Sequence, residues 1–489
     1  MTPSRRKWAI LALVLVAECM DLLDGTIVNV AAPTIHNDLH SGTTGLQWII
    51  SGYALAFAMV LITGGRLGDI YGRRRLFVIG ALGFVAASVA CGFSSSPGML
   101  IACRLVQGSA AALLVPQGLG IIRSVFGAEE QGSAFALFGP VIGLSAMLGP
   151  IIGGSLIAAN LFGSGWRLVF FVNLPLGLIA AIGAALLMPE SRSTRRLRLD
   201  LVGSALAALG MGLLVYPLTE GQSHHWPAWT YLMFAASVTS FAALVGWNRR
   251  VHRAGGDPLV EPSIFGHRAY VAGLSGVVVF FAGLMGTMLV MTLYLQFGEH
   301  FTPLHAGLTL APFALGSAIG ATLAAALLAP RLGRRVLQIG AVVVAGAVFW
   351  LRHVVASHGL DLTSVEMIGP ELGLGIGLGM GVSPLFDFIL ASVADHEVGS
   401  ASGVLNATQQ LAGAIGVAGI GTIFFTALSH GGYVVALNRC LLVEIALMPV
   451  LIALVQLLPK HAHDSEAGAA VGLAEQRPNE GLSEITQAA

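Results

Sequence analysis

Gly65-Arg66-Leu67-Gly68-Asp69-Ile70-Tyr71-Gly72-Arg73-Arg74-Arg75 separates two apolar runs, at about 46–65 and 76–93. Its glycines tolerate the positive φ that a very short turn demands. Asp69 and Arg73 can pair with one another or bind the exposed groups at a neighbouring helix end. Each flanking run is close to the ~20 residues that cross a bilayer as a helix, so this basic loop reads as the turn of a membrane hairpin.

The rest of the chain extends that reading. Of 489 residues, 55% are hydrophobic and 10% charged, against roughly 25% charged in soluble domains. The mean hydropathy of +0.81 leaves too little polar surface to cover a water-soluble body. The run at 8–30 is too long for a secretory signal, carries acids and lacks a small-x-small cleavage site, so it is a first spanning helix. Further segments at about 99–122, 135–158 and 168–188 complete a block of six, closed by a basic loop at 189–200. Two more, about 201–219 and 228–247, lead to a second basic stretch ending near Arg268. The last six lie at about 270–297, 306–329, 336–355, 365–386, 402–427 and 438–458, and the polar tail after Lys460 reads as disordered. The expected domains are therefore 1–190, 191–268, 269–459 and 460–489.

With the N-terminus inside, 21 of the 25 Lys and Arg residues fall in terminal or cytoplasmic segments. Arg167 and Arg439 fall outside, while Arg104 and Arg352 lie within apolar segments. The positive-inside rule thus predicts an even number of crossings and two cytoplasmic termini. Arg66-Leu67-Gly68 recurs as Arg331-Leu332-Gly333, and Gly132-Ser133-Ala134 as Gly399-Ser400-Ala401, at equivalent points of the two blocks. Two related bundles are expected, with a substrate path between them.

Several function classes drop out. The only lysines, Lys7 and Lys460, follow Arg and Pro, so there is no Walker A loop and no ATP partner is expected. A net charge of zero gives no bulk attraction for nucleic acid. Cys19, Cys91, Cys103 and Cys440 sit in apolar stretches and read as packed thiols, and no cofactor or metal site is indicated. His396-Glu397 starts a zincin-like pattern, but Ser400 stands where the second His is required. The alternating glycines from Gly373 to Gly381 do not make a dinucleotide fingerprint.

The 65–75 loop resembles the signature loop of the major facilitator superfamily. Leu23-Asp24-Gly25-Thr26-Ile27-Val28-Asn29-Val30-Ala31-Ala32-Pro33, Arg104-Leu105-Val106-Gln107-Gly108 and Gly149-Pro150-Ile151-Ile152-Gly153-Gly154 resemble helix 1, 4 and 5 motifs of its fourteen-helix drug:proton antiporters. Gly165-Trp166-Arg167 and Asn173-Leu174-Pro175 fit the same pattern. The resemblance implies an all-α membrane protein with the major facilitator fold: two six-helix bundles plus two additional transmembrane helices, fourteen in all. It also implies a cytoplasmic latch at Gly65, Asp69, Gly72 and Arg73, and an antiporter motif at Gly149, Pro150, Gly153 and Gly154. Ile70 stands where a basic residue is common, and the second copy near Arg331 lacks the acid.

Glu18, Asp21 and Asp24 sit three residues apart on the first helix, each costing about 2.5 to 3.5 kcal/mol at a bilayer centre on insertion scales. Such a cost implies a polar interior path or a partner. Counted from the expected outer helix ends, Asp24 and Arg104 lie at similar depth, with Asp21 and Glu18 deeper. While paired, Asp24 stays charged; once Arg104 withdraws, the carboxylate takes up a proton, so a conformational change can load and release it. The expected function is proton-driven export of small toxic or antibiotic compounds across the cytoplasmic membrane by alternating access, with lipid, substrate and protons as partners and no enzymatic reaction. An ion-coupled importer is the alternative, and a membrane-embedded sensor a more distant one. Tyr53, Phe57, Phe138, Phe281 and Met285 are candidates to line a substrate cavity.

Overall fold

The structure, a computed structural model, describes residues 3–41, 43–135, 137–192, 199–221, 224, 226–394 and 397–460. The tail expected to be disordered lies outside the described residues, as do the side chains of Phe138 and Pro150. Among the described residues every regular element is helical. The first block comprises α1 (Pro3–Leu39), α2 (Thr43–Tyr71), α3 (Arg73–Gly92), α4 (Pro97–Val125), α5 (Ala128–Phe135), α6 (Phe138–Ala159), the short α7 (Leu168–Phe171) and α8 (Asn173–Leu187). Then come α9 (Leu201–Glu220) and α10 (Ala228–Arg253). The second block comprises α11 (Arg268–Leu293), α12 (Pro303–Thr309), α13 (Ala311–Leu323), α14 (Ala329–Leu332), α15 (Arg335–His358), α16 (Ser364–Ala391) and α17 (Val398–Val455). Among the described residues, eleven helical stretches are long and apolar enough to cross a membrane.

Local chemistry sets the ends. Ser96 caps α4 by accepting a hydrogen bond from the Met99 amide at 3.3 Å, with Pro97 in the first turn. Thr363 and Glu366 form a reciprocal capping box on α16. Between α2 and α3 the chain turns at Gly72, whose φ of 109° favours glycine. A Cβ there would also stand 2.4 Å from Glu190 Oε1.

Several boundaries differ from the sequence reading: the 65–75 loop is helical except at Gly72, because α2 runs on to Tyr71 and α3 starts at Arg73. The first helix runs past Val30 to Leu39; an interior proline such as Pro33 is tolerated where neighbouring helices re-satisfy the freed backbone group. Its far end is held by Asp38, which accepts hydrogen bonds from Trp166 Nε1 at 2.9 Å and Arg167 Nη1 at 2.8 Å. These two donors hold the Asp38 carboxyl below the usual carboxylate range. The connection expected at 428–437 shrinks to one non-helical residue, Gly432 (φ 75°), inside α17. Both arms of α17 pack on α11: Gly286 faces Ile420 of the first arm, and Gly283 faces Glu444 of the second.

Close helix approach dominates the packing. A Cβ on Gly64 would lie 2.1 Å from the Ala112 carbonyl, and one on Gly108 2.2 Å from that of Tyr53, so α2 and α4 meet backbone to backbone. The α16 glycines serve packing too: Gly369 and Gly373 lie against Trp350 and Ala347 of α15, Gly377 against Val344, and Gly381 against Phe280 of α11. The blocks meet where α2 touches α17 and where α6 touches α12 and α13, while α9 packs on both α2 and α17.

Candidate functional site

The structure brings Asp24 and Arg104 together as a buried ion pair between α1 and α4. Around it lies a closed polar network. Gln107, one turn along α4, accepts from Arg104 Nη1 at 2.7 Å and donates to Asp24 Oδ1 at 2.8 Å and to Ser88 Oγ of α3 at 2.6 Å. Asn173, at the start of α8, donates to Asp24 Oδ1 at 2.7 Å and to Ser88 Oγ at 3.0 Å. Arg104 Nε donates to the Ile49 carbonyl of α2 at 3.1 Å, and its guanidinium lies 4.4 Å from the centre of the Tyr53 ring. Five helices, α1, α2, α3, α4 and α8, thus meet in one network, and α4 and α8 supply the donors to the carboxylate. Such pairing is what allows a charge to be held away from water.

The other acids of α1 are placed differently. Asp21 is buried and accepts a hydrogen bond from the Tyr53 hydroxyl. Glu18 is half-buried, with Gly118 of α4 beside it. Tyr53, read from the sequence as a cavity residue, therefore joins the acidic cluster, and Phe57 is buried beside it with ring centres 6.2 Å apart. In the second block Phe281 is buried and stacked on Phe386, and Met285 lies against Gly413. The cavity in that block is lined instead by Phe280, Leu284 and Met288, on the neighbouring face of α11.

Gly149 and Gly153 of α6 lie against α1 just beyond Asp24. A Cβ on Gly149 would stand 1.9 Å from Thr26 Oγ1, and one on Gly153 2.7 Å from Ile27 Cγ1. Gly154 faces away, toward Leu304 of α12 in the other block. The antiporter-like motif thus touches both the acid-bearing helix and the interface between blocks.

In the 65–75 stretch, Arg73 donates to Asp69 Oδ1 through Nη2 at 2.9 Å and to the Gly120 carbonyl of α4 through Nη1 at 3.0 Å. Asp69 and Arg66 line a small cleft together with Leu259, Ser400 and Gly403. The carboxylate therefore faces the first turns of α17 across the block interface, where a helix N-terminus favours negative charge. Gly65 approaches Gly403 there, its Cβ position 3.9 Å from the Gly403 Cα. The second copy of the motif acts otherwise: Arg334 Nη1 donates to the Gln456 carbonyl at 2.6 Å, capping the end of α17. Glu397, half of the rejected zincin pattern, binds His267 Nε2 at 3.2 Å, while His396 lies outside the described residues. No group of three metal-ligating side chains occurs among the described residues.

Gln107 and Asn173 stand inside stretches singled out from the sequence, but their roles needed the fold. Ser88 carries no sequence signal, being one serine in an apolar segment.

An all-helical chain with many apolar spans and an acid-arginine network sealed between them is a multi-pass membrane protein of the transporter kind. The chain belongs to the Major Facilitator Superfamily, whose profile matches residues 14–417. It is 46% identical to the "Probable actinorhodin transporter" of Streptomyces coelicolor, over 86% of this chain and 73% of that protein. It is 35% identical to the "Puromycin resistance protein pur8" of Streptomyces alboniger, over 86% and 82% of the two chains. With the "Tetracenomycin C resistance and export protein" of Streptomyces glaucescens it shares 32% identity, over 86% and 76%.

Proposed function

We propose that this protein exports antibiotic-like small molecules in exchange for protons, by alternating access between its two blocks. The observation that carries the reading is the sealed Asp24–Arg104–Gln107–Asn173 network in a chain whose relatives are named for antibiotic resistance and export. A carboxylate paired in one conformation and released in another exchanges its proton as the protein changes shape. Taking α1 and α6 as crossings, and the two arms of α17 as two, gives fourteen. Both termini then lie on the cytoplasmic side, and the cleft at Asp69, Ser400 and Gly403 becomes a cytoplasmic closure. The substrate path runs between the blocks, past Tyr53, Phe57 and Met285.

In a strain stripped of its own pumps, expression is expected to raise resistance to actinorhodin, puromycin or tetracenomycin C. A protonophore should restore accumulation of the protected compound. Efflux that continues with the proton gradient collapsed and ATP intact removes proton coupling, and net uptake in the direction of growth makes the protein an importer.

The latch yields a second expectation. Asp69→Asn keeps an oxygen for Arg73 but removes the charge; a charge-assisted hydrogen bond is about twice as strong as a neutral one, so the conformational balance shifts by about 1 to 1.5 kcal/mol, roughly 10-fold. Asp69→Asn is therefore expected to slow transport strongly at unchanged membrane abundance. Normal transport by Asp69→Asn means that the arginines serve topology alone.

A further inference from the structure

The second block buries two acids of its own. Glu371 of α16 is fully buried, and neither carboxyl oxygen has a hydrogen-bond partner among the described residues. Glu444, on the second arm of α17, is buried and accepts one long hydrogen bond, from Thr287 Oγ1 of α11 at 3.3 Å. Gly283 makes room for it, since a Cβ there would stand 2.4 Å from Glu444 Oε2. Glu444 and Thr287 line a cavity otherwise walled by apolar side chains: Phe280 and Met288 of α11, Phe313 of α13, Val344 of α15, Leu374 and Leu378 of α16, and Met448. Glu371 precedes Leu374 and Leu378 by three and seven residues, which places it one turn further along the same helix face.

Among the described residues no counter-charge serves these carboxyls. None of the other cavity residues is ionisable, and neither acid forms an ion pair with any described residue. Arg352 on the adjoining α15 lies at a comparable distance from its helix end and pairs with neither. A lone charge in such surroundings is heavily penalised, whereas a neutral acid is not. The contrast with Asp24 is direct, because there α4 supplies an arginine and an amide donor, and α8 a second amide donor, to hold the charge. At its centre the cavity offers about 20 Å³, room for about one water. That is far below the several hundred Å³ of a drug-sized site.

We propose that Glu444 is a second proton-carrying site, housed in the second block and separate from Asp24. In the conformation seen here it is loaded while Asp24 is charged. Discharge passes the carboxyl proton to a water in the cavity, and Thr287 holds the carboxylate oxygen as the proton leaves. Two protons are then exchanged per cycle. This inference rests on the proton-coupled reading above, and its test separates the two.

Purified protein in proteoliposomes, with the membrane potential clamped by potassium and valinomycin, is given puromycin or actinorhodin, and a trapped pH dye counts the protons moved per molecule of compound. Glu444→Gln is expected to lower that count by one, retain transport and keep the wild-type melting temperature, because Gln mimics the neutral acid. Glu444→Asp restores the count. An unchanged count in Glu444→Gln overturns the proposal. So does a Glu444→Gln protein that fails to fold, since that reveals a charge in the native site. A raised KM for puromycin with the count unchanged would instead make Glu444 a contact for cationic substrate. If the wild type moves both compounds without protons, or moves neither, the proton-coupled export reading fails and the second site with it.

Discussion

Asp24→Asn is expected to reach the membrane at the wild-type level and to lose uphill efflux, while exchange down a substrate gradient survives. Asparagine keeps the size of the aspartate and an oxygen for Arg104, Gln107 and Asn173, but it cannot bind and release a proton in the working range. Arg104→Ala loses uphill efflux for a different reason. It strands a buried carboxylate without its counter-charge, and breaking such a pair costs about 3 to 5 kcal/mol, so a lower melting temperature accompanies the loss. Accumulation of puromycin or actinorhodin in energised cells reads the uphill step, and counterflow in proteoliposomes reads the downhill one. If Asp24→Asn still exports uphill while Asp21→Asn or Glu18→Gln does not, the proton site lies deeper along α1.

Packing beside that acid sets the second large effect. Gly149→Ala is expected to cripple transport, because its Cβ must occupy a point 1.9 Å from Thr26 Oγ1 and 3.3 Å from the Ile27 amide nitrogen. Overpacking of this kind costs about 1 to 3 kcal/mol. The strain is relieved by displacing α1, and Thr26 lies two residues from Asp24, so the displacement reaches the Arg104 pair directly. Gly153→Ala would place its Cβ 2.7 Å from Ile27 Cγ1, a smaller overlap, and is expected to be milder. Gly154→Ala meets Leu304 at 3.8 Å, an ordinary contact, and is expected to be tolerated. Thr26→Gly in the Gly149→Ala protein should restore part of the activity. Transport rates and melting temperatures across the three positions check this order, and equal losses at all three would mean that the motif acts by something other than helix approach.

Much of the candidate site was legible before the fold because charge is conspicuous in an apolar helix. Asp24 and Arg104 stand out as letters, and similar depths made them partners. α1 continues to Leu39 instead of ending near Val30, yet Asp24 still meets Arg104, because packing between neighbouring helices, and not the helix ends, fixes the level at which side chains meet. The bond from Tyr53 to Asp21 was not legible, since an aromatic residue at a helical spacing does not announce which atom its hydroxyl will reach. Glu371 and Glu444 are equally visible as letters. What distinguishes them is that no described basic group pairs with either, which only the packing of α11, α13, α15, α16 and α17 defines.

The sequence alone determined the class of the molecule. Hydropathy sets how many residues must leave water, and the placement of arginine sets which connections stay together; both are sums over local properties that need no fold. The spacing of Gly, Asp and Arg at 65–75 and of the glycines at 149–154 likewise marked where helices must turn or touch. The tertiary structure decided what those touches accomplish. Asp69 faces the first turns of α17 across the block interface, while the second copy of its motif caps the end of the same helix through Arg334. Asp24 is fully satisfied, and Glu371, in the opposite block, is not. Burial and hydrogen-bond satisfaction belong to groups brought together from distant parts of the chain, so no window of sequence contains them.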